Sequence, residues 1–203
     1  ARTILTAIAV EQKVPIDDNV RDNIARLIRD LAYEKKDSQS IAALAELIFS
    51  DKIGDDRKFD SQEAAGDQSV RPFKLISALI YLVSQKGTSG LSSQVRQEAI
   101  DVLVRILQHK NLLRNSALES TVRITVLQYL AQNIKDAAIR SSLDKLTPYF
   151  KETLLTKARK GSSSGDEVNT VIGALNTLAQ EGSTEARTIL TAIAVEQKVP
   201  IDD

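Results

Sequence analysis

Hydrophobic residues recur along the chain at three- and four-residue intervals, the spacing that places them on one face of an α-helix. Val20, Ile24, Leu27, Ile28 and Leu31 form one such stripe. Ile41, Leu44, Ala45 and Ile48 form another, as do Leu75, Ile76, Leu79, Ile80 and Val83. Further stripes run through Val95, Ala99, Val102, Leu103 and Ile106, then Val122, Val126 and Leu130, then Val171, Ile172, Leu175, Leu178 and Ala179. No convincing alternating strand pattern is present. The pattern predicts about eight helices of about 12–20 residues.

The breaks between stripes have physical causes. Asp17 or Asp18 is placed to cap a helix beginning near Asn19, its carboxylate accepting from exposed backbone N–H groups. Pro72 suits a first helical turn, where its missing N–H costs nothing. Gly87 and Gly90 bracket a turn, and Thr147-Pro148 either kinks a helix or starts one. Two stretches read as non-helical: a long polar surface loop at 54–70 (GDDRKFDSQEAAGDQSV), expected to be mobile, and GSSSG at 161–165, which has the composition of a flexible linker.

The ends of the chain are the same. ARTILTAIAVEQKVPIDD stands at residues 1–18 and again, without a substitution, at 186–203. Eighteen identities at one offset require copying, and natural tandem repeats usually drift. With the linker, the repeat reads as an engineered circular permutation. The parent would begin near Asp166 and end near Lys160, GSSSG joining the old ends, with the helix at the new cut kept on both sides. A piece of a natural tandem-repeat protein, slightly longer than one period, is the second origin considered. Both copies fit one slot, so connectivity and concentration decide which fills it. Five linker residues span at most about 18 Å. The ends of four stacked helix pairs lie about 30 Å apart or more, at layer spacings of roughly 8–10 Å. A repeated helix that cannot return within its own molecule is offered to the next one, giving a ring or a filament. Ile4, Leu5 and Ile8, with their copies Ile189, Leu190 and Ile193, are the residues expected to carry that exchange. In a compact bundle with adjacent ends, the hairpin folds back and one copy is redundant.

Composition narrows the function. Lys+Arg and Asp+Glu both number 27, so the overall charge gives no basic excess of the kind nucleic-acid binders use against phosphate. No apolar run approaches the roughly 20 residues of a membrane span, and no signal peptide is evident; the compartment is not legible. There is no cysteine, which excludes disulfides and thiolate chemistry. His109 is the single histidine and reads as a surface residue at a helix C-terminus. One His without Cys makes no ordinary zinc site, and no nucleophile-elbow motif is present. The pairs Asp17/Asp18 and Asp55/Asp56 read as capping and solvated groups, and LVSQKGTSGLSS (82–93) lacks phosphate-loop spacing. The basic end of KETLLTKARK (151–160) suits a helix C-terminus better than an anion site. No enzyme, cofactor or metal is expected.

One local pattern recurs: a small or polar stretch, an aliphatic-Arg pair, then apolar residues at helical spacing. It stands in DDNVRDNIARL (17–27), SSQVRQEAIDVL (92–103) and ESTVRITVL (119–127), and more weakly in DAAIRSSL (136–143) and TEARTIL (184–190). The pattern resembles the helix of HEAT repeats that opens the second half of each pair. In that family the arginine joins a ladder with acidic neighbours between repeats. The resemblance carries that role onto Arg21, Arg96, Arg123, Arg140 and Arg187. It implies an all-α fold, an α-solenoid of about four antiparallel helix pairs plus the duplicated helix. A compact helical bundle is the alternative.

The expected organisation is a helical repeat domain at 1–160, the linker, and a hairpin at 166–203. The expected function is a non-enzymatic scaffold whose partners are itself, through helix exchange, and a protein or peptide on the helical surface; no nucleic acid or membrane is expected. The alternative is a bundle binding a small molecule or ion between helices.

Overall fold

The structure is a computed structural model and describes residues 18–49, 71–85, 91–109, 112, 116–158 and 165–196. The described residues are helical throughout, with turns between. The helices are α1 (Asp18–Lys35), α2 (Ser38–Phe49), α3 (Arg71–Ser84), α4 (Ser93–Gln108), α5 (Ser116–Gln132), α6 (Ala137–Asp144), α7 (Thr147–Ala158), α8 (Gly165–Gln180) and α9 (Thr184–Glu196). None of them is long and apolar enough to cross a membrane. The opening copy at 1–17, the polar stretch 54–70 and all of the linker but Gly165 lie outside the described residues.

The chain forms two compact units, Ala1–Val122 and Arg123–Asp203, and the division falls within α5. The expected hairpin from 166 belongs to the second unit, where it packs on α7.

In the first unit, α1 packs on α2 and α3 on α4, and the pairs lie side by side: α1 meets α3, α2 meets α4, and α2 meets α3. Their facing stripes make the core, with Ile28, Leu44, Leu79 and Leu103 fully enclosed. Each such side chain contributes about 1.5–3 kcal/mol over leaving it in water. Leu27, part of the α1 stripe in the sequence, is 48% exposed. It stands at the margin of that stripe, away from the fully enclosed Ile28.

The second unit is built around the α8–α9 pair. α8 packs on α9, α6 on α8, α7 on α9, and α7 on α8. Phe150, Leu130, Ile139, Leu143 and Leu175 are fully buried. Thr147-Pro148 opens a new helix: α6 stops at Asp144, and the Thr147 hydroxyl donates to the Asp144 carbonyl at 2.8 Å. α6 is only eight residues long, shorter than the stripes predict, because this turn cuts it off.

Helix starts follow from side-chain caps. Ser92 Oγ accepts from Val95 N at 3.2 Å, Asp136 Oδ1 from Ala138 N at 3.0 Å and Ile139 N at 3.3 Å, and Ser183 Oγ from Ala186 N at 3.3 Å. Asp37 Oδ1 accepts from Ser40 N at 2.9 Å in the same way. Each bond satisfies an orphan donor of the first turn.

Candidate assembly helix and the polar cleft beside it

α9 carries most of the second copy of the repeated segment. Ser183, its cap, follows Gly182, whose φ of +104° suits a residue without Cβ. Gly182 N donates to Ala179 O at 3.3 Å and Ser183 N to Leu178 O at 3.0 Å, the paired bonds of a Schellman turn ending α8. Two residues, Glu181 and Gly182, therefore separate the end of α8 from the cap of α9, and the two helices fold back on each other.

The buried side of α9 is narrow. Ala186 and Ile189 are buried, Leu190 and Ile193 are half-buried, and Val195 is 60% exposed. Of the six residues expected to carry exchange, these three of the second copy sit together on one side of α9; Ile4, Leu5 and Ile8 lie outside the described residues.

The five arginines take different places. Arg96 Nε donates to the Val83 carbonyl at 2.8 Å, and Arg187 Nε to the Ala179 carbonyl at 2.9 Å. In both, an arginine in the first turn of one helix closes the last turn of the helix before it, within the pair. Arg140 reaches across: its Nη1 lies 3.2 Å from Glu181 Oε2, joining α6 to the α8–α9 turn. Arg123 is half-buried inside α5, and the side chain of Arg21 lies outside the described residues.

Arg140 and Glu181 line an open cleft of about 500 Å³ with Ala137, Ser141, Asp144, Leu178, Gly182 and Ser183. Sequence reasoning missed it, because its pairs join residues about forty positions apart. Ser183 Oγ donates to Asp144 Oδ1 at 2.6 Å while accepting from Ala186 N. Its proton and a lone pair are thus engaged in fixing the turn. The cleft's other charges, Arg140 and Glu181, are satisfied by one another. The arrangement latches the α8–α9 turn to α6.

His109 caps α4, its backbone N–H donating to Arg105 O at 2.9 Å. It is half-buried rather than a surface residue, because its ring packs on Phe49 at 5.2 Å between centroids. The guanidinium carbon of Arg105 sits 4.0 Å from the centroid of the same Phe49 ring. Among the described residues, no three His, Asp or Glu side chains converge as a metal site would require. Tyr33 meets Tyr81 edge-to-face at 4.8 Å, joining α1 to α3. Burial pushes the Tyr33 hydroxyl above its ordinary pKa of 10.0; Arg29 opposes this, while Asp30 and Tyr81 add to it.

No protein-family model, curated protein or solved structure matches this chain.

Proposed function

We propose that the chain is a non-enzymatic helical scaffold of HEAT-like α-solenoid type, permuted so that its repeated helix drives self-association by exchange. One observation carries the reading: the eighteen identical residues at 1–18 and 186–203. The conformation of the second copy supports it, since α9 is a folded helix with its apolar side only partly covered.

The pairwise order of contacts supports the solenoid. In the first unit the first helices of the two pairs meet and the second helices meet, which is how stacked hairpins extend in one dimension; in the second, α6 meets α8 and α7 meets α9. Arg140–Glu181 supplies a charged link between pairs, as the HEAT resemblance implies. A protein or peptide bound along the helical surface remains part of the reading for the parent.

The alternative, a bundle that takes a small molecule or ion, would use the cleft beside α6. The bonds its side chains make to each other favour the scaffold.

Light scattering behind a sizing column, across concentration, tests the proposal on the full chain and on residues 1–185. Oligomers that grow with concentration and vanish on truncation are expected. Monomers from both chains would make the second copy a folding aid and remove the assembly function.

A further inference from the structure

The repeated sequence has two chain neighbours. In its second copy it follows α8 and packs on it. In its first copy it runs through Pro15-Ile16-Asp17-Asp18 straight into α1, whose first residue is Asp18. One helix sequence therefore belongs between α8 and α1. The stacking order in each unit says how: first helices meet first helices (α1 with α3, α6 with α8), second meet second (α2 with α4, α7 with α9). One more step of that order sets α8 beside α1 and α9 beside α2.

The flanks that would meet can be located. Glu181, in the turn directly after α8 with its N–H still bonded back to Thr177 O, binds Arg140 of α6, so the flank of α8 in line with it faces α6. Ile172 lies nine residues earlier, half-way round the helix at about 100° per residue. Val168, one turn before it, extends the row, and both are half-buried. On α1, Tyr33 meets Tyr81 of α3, so that flank faces α3. Leu31 stands about 160° round from Tyr33 and Leu27 one turn before it. Leu31 is half-buried and Leu27 is 48% exposed. Each of these flanks thus carries an aliphatic i, i+4 row, the ridge by which helices most often interlock. Gly173, exposed next to Ile172, has no atom within 4 Å of where a Cβ would stand and leaves room beside the ridge.

We infer that the Leu27–Leu31 flank of α1 receives the Val168–Ile172 flank of α8 from a second copy of this chain, with that copy's α9 alongside α2. The inference rests on the exchange reading above. A second copy is favoured over the molecule's own residues 1–18 because that segment repeats only the α9 sequence, whereas α8–α9 of another copy supplies both helix positions.

The absence of cysteine makes the test clean. One preparation carries Leu27→Cys and another Ile172→Cys; each alone and the equimolar mixture are treated with a short bis-maleimide. A head-to-tail contact joins unlike surfaces, so the mixture should give at least about tenfold more covalent dimer than either variant alone. Leu27→Asp should raise the concentration of half-assembly on the order of tenfold, with helicity by circular dichroism unchanged. Equal cross-linking in all three samples, or cross-linking only within one chain when both cysteines share it, overturns the inference. If mass still grows with concentration and truncation still abolishes growth, the exchange reading survives and only this surface is wrong. Monomers at every concentration overturn both.

Discussion

Arg96 in the first turn of α4 donates its Nε–H to the carbonyl of Val83 in the last turn of α3, at 2.8 Å. Arg187 repeats the bond on Ala179 one hairpin from the other end of the described chain, at 2.9 Å. The last carbonyls of a helix have no partner inside it, and a cation there also meets the negative end of the helix dipole. Arg96→Met should therefore cost about 1–2 kcal/mol, read from urea unfolding. Arg96→Lys should recover only part of this, since a flexible ammonium replaces a planar fork. Arg187 is exposed, and Arg187→Met should cost less, about 0.5 kcal/mol. Equal losses at the two sites would deny burial its part.

Asp136 caps α6 with one carboxylate oxygen accepting from two backbone N–H groups. Asp136→Ala should cost about 1 kcal/mol, and Asp136→Asn should be nearly neutral, because the amide oxygen accepts the same bonds. Thermal unfolding of the two variants side by side reads the difference.

Two turns with positive φ have opposite residues. Lys36, ending α1, stands at φ 47°, and Gly182, ending α8, at φ 104°. Lys36→Gly should stabilise by about 0.5–1 kcal/mol, since a side chain is disfavoured in that conformation. Gly182→Ala should destabilise by about 1 kcal/mol, purely through the backbone, because an added Cβ would meet nothing within 4 Å. Melting temperatures moving in the same direction would refute the argument.

The pH dependence should be alkaline. With Tyr33 holding its proton above 10.0 in the folded chain, the unfolded chain loses that proton first. Folded stability is then level below about pH 10 and falls as pH rises from there through the raised folded value. Tyr33→Phe should remove that part of the fall. It should also delete a phase of phenolate absorbance that lies above the ordinary tyrosine range.

The helices were legible because burial imposes a period that the sequence prints directly: Val122, Val126 and Leu130 are all fully buried as their spacing predicts. The aliphatic-Arg pattern was legible as a recurrence, and its local cause is now plain. In Ser92–Arg96, Asp136–Arg140 and Ser183–Arg187, a cap is followed at three residues by a buried side chain and at four by the arginine. The pattern marks helix starts. Val122-Arg123 breaks the rule because Glu119 stands inside α5, which starts at Ser116. What the arginines touch was not legible. Arg140 and Glu181 are 41 residues apart, and His109 meets Phe49 across 60, so only tertiary packing makes those pairs. The exposure of Leu27 was hidden for a related reason: periodicity places a residue on a stripe without saying whether a neighbour reaches that edge.

The latch between α6 and the α8–α9 turn has a kinetic consequence. Arg140–Glu181 and Ser183–Asp144 tie the hairpin that carries the second copy to the helix two before it. Detaching α8–α9 to trade it between molecules would break both bonds and uncover Leu175 and Leu178. Joining intact ends breaks neither. If the proposed self-association takes the second route, its rate should follow the concentration of ends, whereas a rate set by release of α8–α9 should rise steeply with temperature below unfolding.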